Sequence, residues 1–479
     1  MITIDWKPDK TLPVKKQIVE YMKERINEGH WPIGSKLPTQ RTLAETFGVN
    51  RSTIVTALDI LKSDGLIEGK GRAGMVVVAS TVPLLALSQT RWVNYIEEGI
   101  HLPNYKTIKM INDSDPDTTM RRLSSGELSP EIYPKESMGK ILQDLSSEIE
   151  HLGYEWPTGM VPLREALCEY LSKKNINVKP ENILIVSGAL QGFQLITMGL
   201  LQMGSTVFVE KPSYLYSLQI LQTLGMRRMG VSIDEDGLIP DEIVDKIPSN
   251  HASILYTIPN FQNPTGFVMS EERRKRLLDI CYKSKMPIIE DDVYGDLWLD
   301  DQPPASLKSM DKIGNVLYVG SVSKTLSPGL RIGWVVGPET VINRLADIKM
   351  QMDYGSSSIS QLIVAKYLSS GLYDQHMTYV RQHLRQRLDF TMALLDKYFS
   401  DFATWKRPKG GFYIWVDIHK DISMFRVFET AYHKKVLFNP GYIYEAASNH
   451  SLRISYSYAP YDELESSIKT LAEIISSSK

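Results

Sequence analysis

Short apolar runs alternate with amphipathic segments through the middle of the chain, and this alternation constrains the fold more than any other feature. The runs read NILIVS, STVFVE, ASILYT, MPIIED, NVLYVG and IGWVVG. Segments between them, such as LREALCEYLSKKN, carry apolar residues at helical spacing. Strands that alternate with helices predict a mainly parallel sheet with helices on both faces. After about residue 350 the chain turns helical and then gives GFYIWVDI and LRISYSY, which indicates a smaller α+β subdomain.

The N-terminal 78 residues follow a different pattern, in which three short helices precede a hairpin. Apolar residues recur every four positions from Val14 to Ile26, which predicts a first amphipathic helix. A second helix begins near Pro38 and Thr39, and Asn50 can cap a third that runs RSTIVTALDILKS. The following LIEGKGRAGMVVV reads as two β runs around a glycine-rich basic tip. Together these elements predict a winged helix-turn-helix.

We therefore divide the chain into residues 1–78, a linker with some helix at 79–115, and a large domain at 116–479. Net charge over all 479 residues is −2, whereas residues 1–80 hold 12 Lys and Arg against 9 Asp and Glu. This mild asymmetry permits a nucleic-acid partner at the N-terminus without establishing one. Cys168 and Cys281 are far apart and lack metal-ligand spacing, which fits core packing in a reducing cytoplasm. Acids in MITIDWKPDK argue against a signal peptide, and no apolar run is long enough to span a membrane.

The first turn of the third helix has the residue types that a DNA-recognition helix needs. It reads NRST, residues 50–53, and Arg51 can fork onto a guanine or a phosphate. Arg41, Lys70 and Arg72 would lie along the DNA backbone. A small helical domain with ordinary surface charge would show a similar turn, but LPTQRTLA before it and LKSDGLIEGKGRAG after it favour DNA binding.

Across residues 37–74 the chain resembles the DNA-binding domain of the GntR family of bacterial regulators, with Thr39 and Asn50 where serine is usual. The resemblance implies that the second helix, the recognition turn and the wing contact operator DNA. The predicted contact residues are Thr39, Arg41, Asn50, Arg51, Ser52, Thr53, Lys70, Gly71 and Arg72.

The stretch SVSKTLSPGLRIGW, residues 321–334, resembles the lysine loop of pyridoxal-phosphate enzymes. Such a site needs an amine for the Schiff base, a carboxylate at the pyridine nitrogen, donors to the ring oxygen and a phosphate cradle. Lys324 follows a predicted strand and supplies the amine. Asp291 ends another strand and supplies the carboxylate, with the adjacent Asp292 as its competitor. Asp291 is favoured because its three-residue spacing to Tyr294 is the one found in aminotransferases.

The remaining candidates surround these groups. Asn263, in the NPTG turn, and Tyr294 can both reach the ring oxygen, and Tyr214 is placed to stack on the ring. The turn after NILIV opens a helix, so its backbone N–H groups make an anion site that Ser321 and Arg331 would complete. Tyr154 is predicted to reach the phosphate of a partner subunit, and Arg453 to bind a carboxylate through its guanidinium fork. The turn residues are Ser187, Gly188, Ala189 and Leu190.

These motifs follow one another over residues 120–460 in the order typical of fold-type I pyridoxal enzymes, the aspartate aminotransferase family. The fusion with a winged helix resembles the MocR subfamily of GntR regulators. That resemblance implies pyridoxal 5'-phosphate on Lys324, a head-to-tail homodimer, and a transcriptional response to an amino compound or to the cofactor itself. A working aminotransferase with a DNA-binding appendage stays open because every catalytic part is present. A DNA-binding scaffold with an empty cofactor fold is disfavoured because Lys324, Asp291 and Asn263 are intact.

Overall fold

The computed structural model describes residues 6, 13–27, 30–71, 74–78, 105–150, 152–248 and 252–478. The chain divides into two compact units, residues 1–100 and 101–479, and each is described by itself.

The N-terminal unit is a three-helix domain with a two-stranded wing. Its elements are α1 Val14–Asn27, α2 Gln40–Phe47, α3 Arg51–Ser63, β1 Ile67–Gly69 and β2 Met75–Val77. The two strands pair antiparallel. A buried apolar core joins the three helices through residues that include Met22, Leu43, Phe47, Ile54 and Leu61.

Local signals at the helix ends explain where α2 and α3 begin and end. Thr39 Oγ1 accepts a hydrogen bond from the backbone N–H of Thr42 at 3.2 Å and caps α2. Gly48 follows that helix with a φ of 67°, the left-handed conformation that glycine adopts without a steric penalty.

The apolar stripe predicted for α1 is correct for Ile18, Met22 and Ile26 but wrong for Val14. That residue lies in the first turn and is 38% exposed.

An eight-stranded sheet forms the centre of the larger unit, with the order β4-β11-β10-β9-β8-β5-β6-β7. The five inner strands β10, β9, β8, β5 and β6 run parallel, whereas β11 and β7 pair antiparallel with their neighbours. This arrangement confirms the predicted mainly parallel sheet. The strands are β4 Ile183–Val186, β5 Thr206–Lys211, β6 Arg227–Asp234, β7 Gly237–Leu238, β8 Ser253–Thr257, β9 Ile288–Asp291, β10 Val316–Ser321 and β11 Gly333–Val336.

A smaller antiparallel sheet follows near the C-terminus, as the sequence predicts. Its order is β12-β13-β16-β15, and a separate short pair joins β14 to β3 in parallel. The strands are β3 Arg121–Arg122, β12 Ala403–Trp405, β13 Tyr413–Ile418, β14 Val436–Leu437, β15 Asn439–Pro440 and β16 Ser451–Ser455.

Helices cover the sheets of the larger unit, and the longest of them spans 27 residues. In chain order they are α4 Lys106–Ser114, α5 Lys135–Glu148, α6 Val161–Ser172, α7 Ala189–Leu200, α8 Ile220–Thr223, α9 Asp241–Val244, α10 Glu271–Lys283, α11 Leu307–Met310, α12 Glu339–Met352, α13 Ser358–Ser369, α14 Leu372–Tyr398, α15 Met424–His433 and α16 Tyr461–Ser477.

The end of the predicted linker is an ordered helix of the larger unit. Ile108 and Ile111 of α4 are buried in the large hydrophobic core. The hydroxyls of Thr107 and Ser114 make hydrogen bonds of 3.1 and 3.0 Å with those of Tyr442 and Tyr432. The rest of the predicted linker, residues 79–104, lies outside the described residues.

Within the described ranges, no helix is both long and apolar enough to traverse a lipid bilayer. Cys281 is buried, and burial raises the pKa of its thiol to about 12, as expected for a core residue.

Candidate functional sites

The N-terminus of α3 is a polar, exposed turn held by its capping residue. Asn50 Oδ1 accepts hydrogen bonds from the backbone N–H of Thr53 at 3.0 Å and from the hydroxyls of Ser52 and Thr53 at 2.8 and 2.6 Å. The apolar residues of α3 face the domain core. The cap therefore holds the polar groups of the first turn in a fixed geometry, as a recognition helix requires.

Arg51 is held by a residue that the sequence reasoning did not select. Its Nε and Nη2 donate to Oε1 of Gln40 at 3.2 and 3.1 Å, which leaves Nη1 and one Nη2 proton unengaged by this pair. Arg41, one position further on, pairs with Glu45 at 3.1 Å on the same helix. The stretch LPTQR resembles the pattern of GntR DNA-binding domains, but only the fold brings Gln40 beside Arg51.

The wing contributes a second exposed group of predicted contacts. Lys70 and Gly71 are exposed at its tip, where the N–H of Lys70 donates to the carbonyl of Gly74 at 2.9 Å. Arg72 lies outside the described residues. Thr39 is exposed at the start of α2.

In the larger unit, a cavity of about 580 Å³ lies at the carboxyl ends of the parallel strands. Side chains that follow β8, β9 and β10 meet there, because the carboxyl ends of parallel strands share one edge of the sheet. Of the predicted residues, those that line it are Gly188, Ala189, Leu190, Tyr214, Asn263, Asp291, Tyr294, Ser321, Lys324, Arg331 and Arg453.

Lys324 projects its amine into this cavity from the loop after β10. Its Nζ donates to the carbonyl of Gly126 at 2.8 Å. A Cβ atom at Gly126 would lie 3.3 Å from that Nζ and 2.7 Å from the hydroxyl of Tyr413. Glycine at 126 therefore keeps the space beside the amine open.

The structure separates the two candidate carboxylates. Asp291 lines the cavity and accepts hydrogen bonds from the hydroxyl of Tyr256 at 2.6 Å and the N–H of Val293 at 3.3 Å. Burial raises its pKa to about 6, although the Tyr256 hydroxyl opposes that effect. Asp292 accepts instead from Asn260 and Tyr318, at 2.6 and 2.7 Å, and does not line the cavity.

Tyr294 and Asn263 lie on the same side of the cavity. The hydroxyl of Tyr294 is 3.3 Å from that of Tyr413. The pKa of Tyr413 is lowered: burial would raise it, but the cations Arg453 and Lys324 outweigh burial. Burial raises the pKa of Tyr294 instead, so Tyr294 keeps its proton. Asn263 Oδ1 accepts from Nη1 of Arg453 at 2.8 Å, which leaves the Asn263 amide N–H groups for another partner.

The turn between β4 and α7 forms an anion cradle. Gly188 has a φ of 94°, and a Cβ there would lie 2.6 Å from Nη2 of Arg331. That Nη2 donates to the carbonyl of Ser187 at 2.7 Å, so the guanidinium lies over the first turn of α7. Free backbone N–H groups at a helix N-terminus and a guanidinium together favour a phosphate.

Two predicted residues do not line the cavity. The N–H of Ser187 donates to Oε1 of Gln191 at 2.7 Å, and its hydroxyl is 3.3 Å from that of Ser356. The ring of Tyr154 is 87% exposed and lies 5.6 Å from the ring of Tyr354.

Arg453 is a buried cation, 4% exposed, that lines the cavity beside Asn263. Its guanidinium lies 3.8 Å from the ring of Tyr413 and 5.2 Å from that of Tyr444. Its hydrogen bonds go to two neutral groups, Asn263 Oδ1 and the carbonyl of Ser124 at 2.6 Å. Among the described residues no carboxylate lies within 4.0 Å of it, so the arginine is available to an anionic ligand.

Sequence reasoning did not select several residues of the large domain that complete the cavity wall. They are Ser124, Ser125, Gly126, Tyr256, Tyr413, Asn439 and Tyr444.

Two family models match the chain, and together they cover most of it. The model of aminotransferase class I and II matches residues 120–471, and that of the bacterial regulatory proteins of the gntR family matches residues 14–77. The larger unit is therefore an aminotransferase class I and II domain, and a gntR-family DNA-binding domain precedes it.

Relatives carry both domains. The uncharacterized HTH-type transcriptional regulator YisV of Bacillus subtilis is 48% identical over 99% of this chain and 98% of its own length. The HTH-type transcriptional regulator NorG of Staphylococcus aureus is 34% identical over 90% of this chain and 97% of its own. The chain belongs to this family of HTH-type transcriptional regulators with an aminotransferase domain. This result confirms the predicted resemblance to the MocR subfamily.

Solved aminotransferases share the fold of the larger unit. A multiple-substrate aminotransferase from Thermococcus profundus superposes with a TM-score of 0.74 at 28% identity, covering 81% of this chain and 98% of that one. A kynurenine aminotransferase from Pyrococcus horikoshii gives 0.74 and 28%, covering 83% and 99%. These likenesses confirm the predicted fold class.

Proposed function

We propose that this chain is a pyridoxal-phosphate-dependent transcriptional regulator, which binds operator DNA through its winged helix and senses an amino compound in its aminotransferase domain. The observation that carries the proposal is the cavity in which Lys324, Asp291 and Arg453 meet, in a chain whose full-length relatives are HTH-type regulators.

The residues of the cavity fit pyridoxal phosphate. Gly126 leaves room beside the Lys324 amine, and the Asp291 carboxylate lies buried at the end of β9. A Cβ at Gly188 would require a strained φ of 94° and would displace the Arg331 guanidinium, so glycine here suits a close phosphate contact. Buried hydroxyls of Ser124 and Ser125 have no hydrogen-bond partner within the described ranges, which indicates that a ligand completes this wall.

Each group would hold one part of the cofactor. Lys324 would bond its aldehyde carbon, Asp291 would face its pyridine nitrogen, and Tyr294 and Asn263 would donate to its ring oxygen. When bound, pyridoxal phosphate supplies an electron-withdrawing ring and a carbon that amines attack. The phosphate would be held by the α7 N-terminus and Arg331, with Ser321 beside them, and Tyr214 would pack on the ring.

Sensing would require an effector amine to replace the amine of Lys324 at the cofactor, while Arg453 would hold the carboxylate of the effector. Lys324 would then carry a different charge and make different hydrogen bonds. An effector that binds one arrangement of the domain more tightly than another shifts the protein toward that arrangement. A regulator gains from this exchange step alone and needs no completed transamination.

A working aminotransferase remains the second candidate. The free guanidinium of Arg453 favours it, because an amino-acid substrate needs the same carboxylate site. Prolonged incubation with amino acids and a keto acid distinguishes the two. Multiple turnovers would favour the enzyme, and little product would favour the sensor.

We further propose a head-to-tail homodimer in which Tyr154 reaches the phosphate of the partner subunit. Tyr154 and Trp156 are 87% and 71% exposed, which is unusual for two large aromatic rings on neighbouring positions unless another surface covers them. Sedimentation of Tyr154→Phe against wild type, with a cofactor titration, tests the assembly and the contact separately.

The sensor proposal is tested with the full-length protein, pyridoxal phosphate and a DNA fragment from upstream of its own gene. Borohydride reduction and peptide mapping are expected to find the cofactor on Lys324. Lys324→Ala is expected to bind the fragment in a gel shift but to lose the change that an active amine produces in wild type. The exposed Lys312→Ala serves as the matched control. Cofactor on another lysine, or an unchanged amine response in Lys324→Ala, would contradict the proposal.

A further inference from the structure

Beside Arg453, one buried side chain has an unused hydrogen-bonding group. Asn439 is 7% exposed and lines the cavity. Its Nδ2 donates to the hydroxyl of Tyr444 at 2.8 Å, while its Oδ1 has no hydrogen-bond partner among the described residues. Buried amide groups are paired in the great majority of cases, so an unpaired one in a residue that lines a cavity points to a ligand.

Strand pairing fixes Asn439 next to the predicted carboxylate site. In the antiparallel pair of β15 and β16, Asn439 is directly opposite Arg453. Residues opposite each other in such a pair carry their side chains on the same face of the sheet. Tyr444 joins the two, because its hydroxyl accepts from Asn439 and its ring lies 5.2 Å from the Arg453 guanidinium.

The unpaired atoms on this wall are of two kinds. Arg453 Nε and the hydroxyls of Ser124 and Ser125 are donors without partners, and they suit an anionic group. Asn439 Oδ1 is an acceptor and needs a donor from the ligand. The Arg453 cation beside it disfavours an ammonium there, so the matching group is a neutral N–H or O–H.

We infer that Asn439 and Tyr444 form a specificity site, and that the effector is an amino acid whose side chain carries a neutral hydroxyl or amide group. This inference rests on the proposed function, since it assigns a class of ligand to the same cavity. The effector would bring three groups to the site, its amine to Lys324, its carboxylate to Arg453 and its side-chain donor to Asn439.

Near-isosteric pairs of amino acids isolate the side-chain donor. Threonine and valine differ by one hydroxyl in place of a methyl group, and asparagine and leucine by an amide in place of a branched alkyl group. Glutamine and methionine extend the panel to a longer side chain. The affinity of each for the full-length, cofactor-loaded protein is measured from the change in the visible absorption of the cofactor.

In wild type, the polar member of at least one pair is expected to bind about tenfold tighter or more, because a site built to pair with a ligand group rejects the analogue that lacks it. Asn439→Leu is expected to bring that ratio close to one, while borohydride still fixes the cofactor on Lys324. A residue that merely braced the fold would weaken both members of a pair alike and would leave the ratio unchanged.

A matched pair of tyrosine variants separates the site from its surroundings. Tyr444→Phe removes the hydroxyl that orients Asn439 and is expected to lower the ratio. Tyr442→Phe removes a hydroxyl two positions away that bonds to Thr107 outside the cavity lining, and is expected to keep it.

The outcomes distinguish this inference from the proposed function. A ratio near one for every pair in wild type, the absence of any amine response, or a ratio that survives Asn439→Leu overturns the specificity site, even with the cofactor on Lys324. Failure to find the cofactor on Lys324 overturns the proposed function itself, and the inference with it.

Discussion

Replacing Asp291 with asparagine should stabilise the cofactor-free protein while it weakens cofactor binding. Burial raises the pKa of Asp291 from its ordinary 3.8 to about 6, with the Tyr256 hydroxyl and the Val293 N–H opposing this rise. The protein thus keeps a carboxylate in a place that disfavours its charge. A protonated pyridine nitrogen would compensate that cost when cofactor is bound.

The magnitude follows from the difference in pKa. One pH unit corresponds to about 1.4 kcal/mol, so ionised Asp291 costs the folded, cofactor-free protein about 3 kcal/mol at pH 8. Between about pH 4 and 6, the folded state binds more protons at Asp291 than the unfolded state does, so the contribution of Asp291 to the free energy of unfolding falls as pH rises. At pH 5 the cost of ionised Asp291 is about half of its value at pH 8. Asparagine carries no charge, its one oxygen can accept from the Val293 N–H, and its NH₂ group can donate to the Tyr256 hydroxyl oxygen.

Urea unfolding of the cofactor-free protein at pH 5 and pH 8 measures this effect. Asp291→Asn is expected to raise the free energy of unfolding by up to about 3 kcal/mol at pH 8 and by about half that at pH 5. The exposed Asp301→Asn is the control and should change neither value. A cofactor titration should show weaker binding for Asp291→Asn alone. If Asp291→Asn lowers stability at pH 8, or if its effect does not depend on pH, the electrostatic reasoning is wrong.

Two further predictions concern the phosphate cradle and the recognition helix. Gly188→Ala would put a methyl group 2.6 Å from Nη2 of Arg331 at a φ of 94°, so cofactor affinity is expected to fall about tenfold or more. The control Gly139→Ala lies in open space within α5 and should stabilise the fold by about 0.5–1 kcal/mol. Equal cofactor affinity in both variants would count against the cradle. Arg51→Ala is expected to weaken operator binding by about 1–3 kcal/mol, and Gln40→Leu by less, since it removes only the acceptor that holds the guanidinium. Gel shifts measure both, and wild-type affinity in Gln40→Leu would exclude an orienting role.

The parallel sheet and most of the cavity could be predicted because both depend on local patterns. Each apolar run ends in a turn whose residues can be recognised in the sequence, and parallel strands bring their carboxyl ends to one edge of the sheet. Lys324, Asp291 and Asn263 follow three such strands, so their convergence follows from topology alone. Adjacent residues at the end of a strand point to opposite faces, so only one of Asp291 and Asp292 could line the cavity, and the spacing to Tyr294 selected Asp291.

The surroundings of Arg453 could not be predicted, because they come from distant segments of the chain. Arg453 donates to the carbonyl of Ser124, 329 positions away in the chain. Asn439 meets Arg453 only through the pairing of two short strands, and β15 has two residues. No periodic pattern identifies a strand of that length. Specificity residues of this kind become visible only after the small sheet is assembled.

Helix α4 shows the same limit at the end of the predicted linker. It has nine residues, no side-chain hydrogen bond at its N-cap Tyr105, and a length below that of helices stable in isolation. Its stability comes instead from burial of Ile108 and Ile111 and from hydroxyl bonds to Tyr432 and Tyr442, more than 300 positions along the chain. Ile108 and Ile111 also line the cavity, so a ligand there contacts this helix. Nine residues are too few for the local sequence to establish a stable helix, whereas the folded chain makes this one part of the cavity wall.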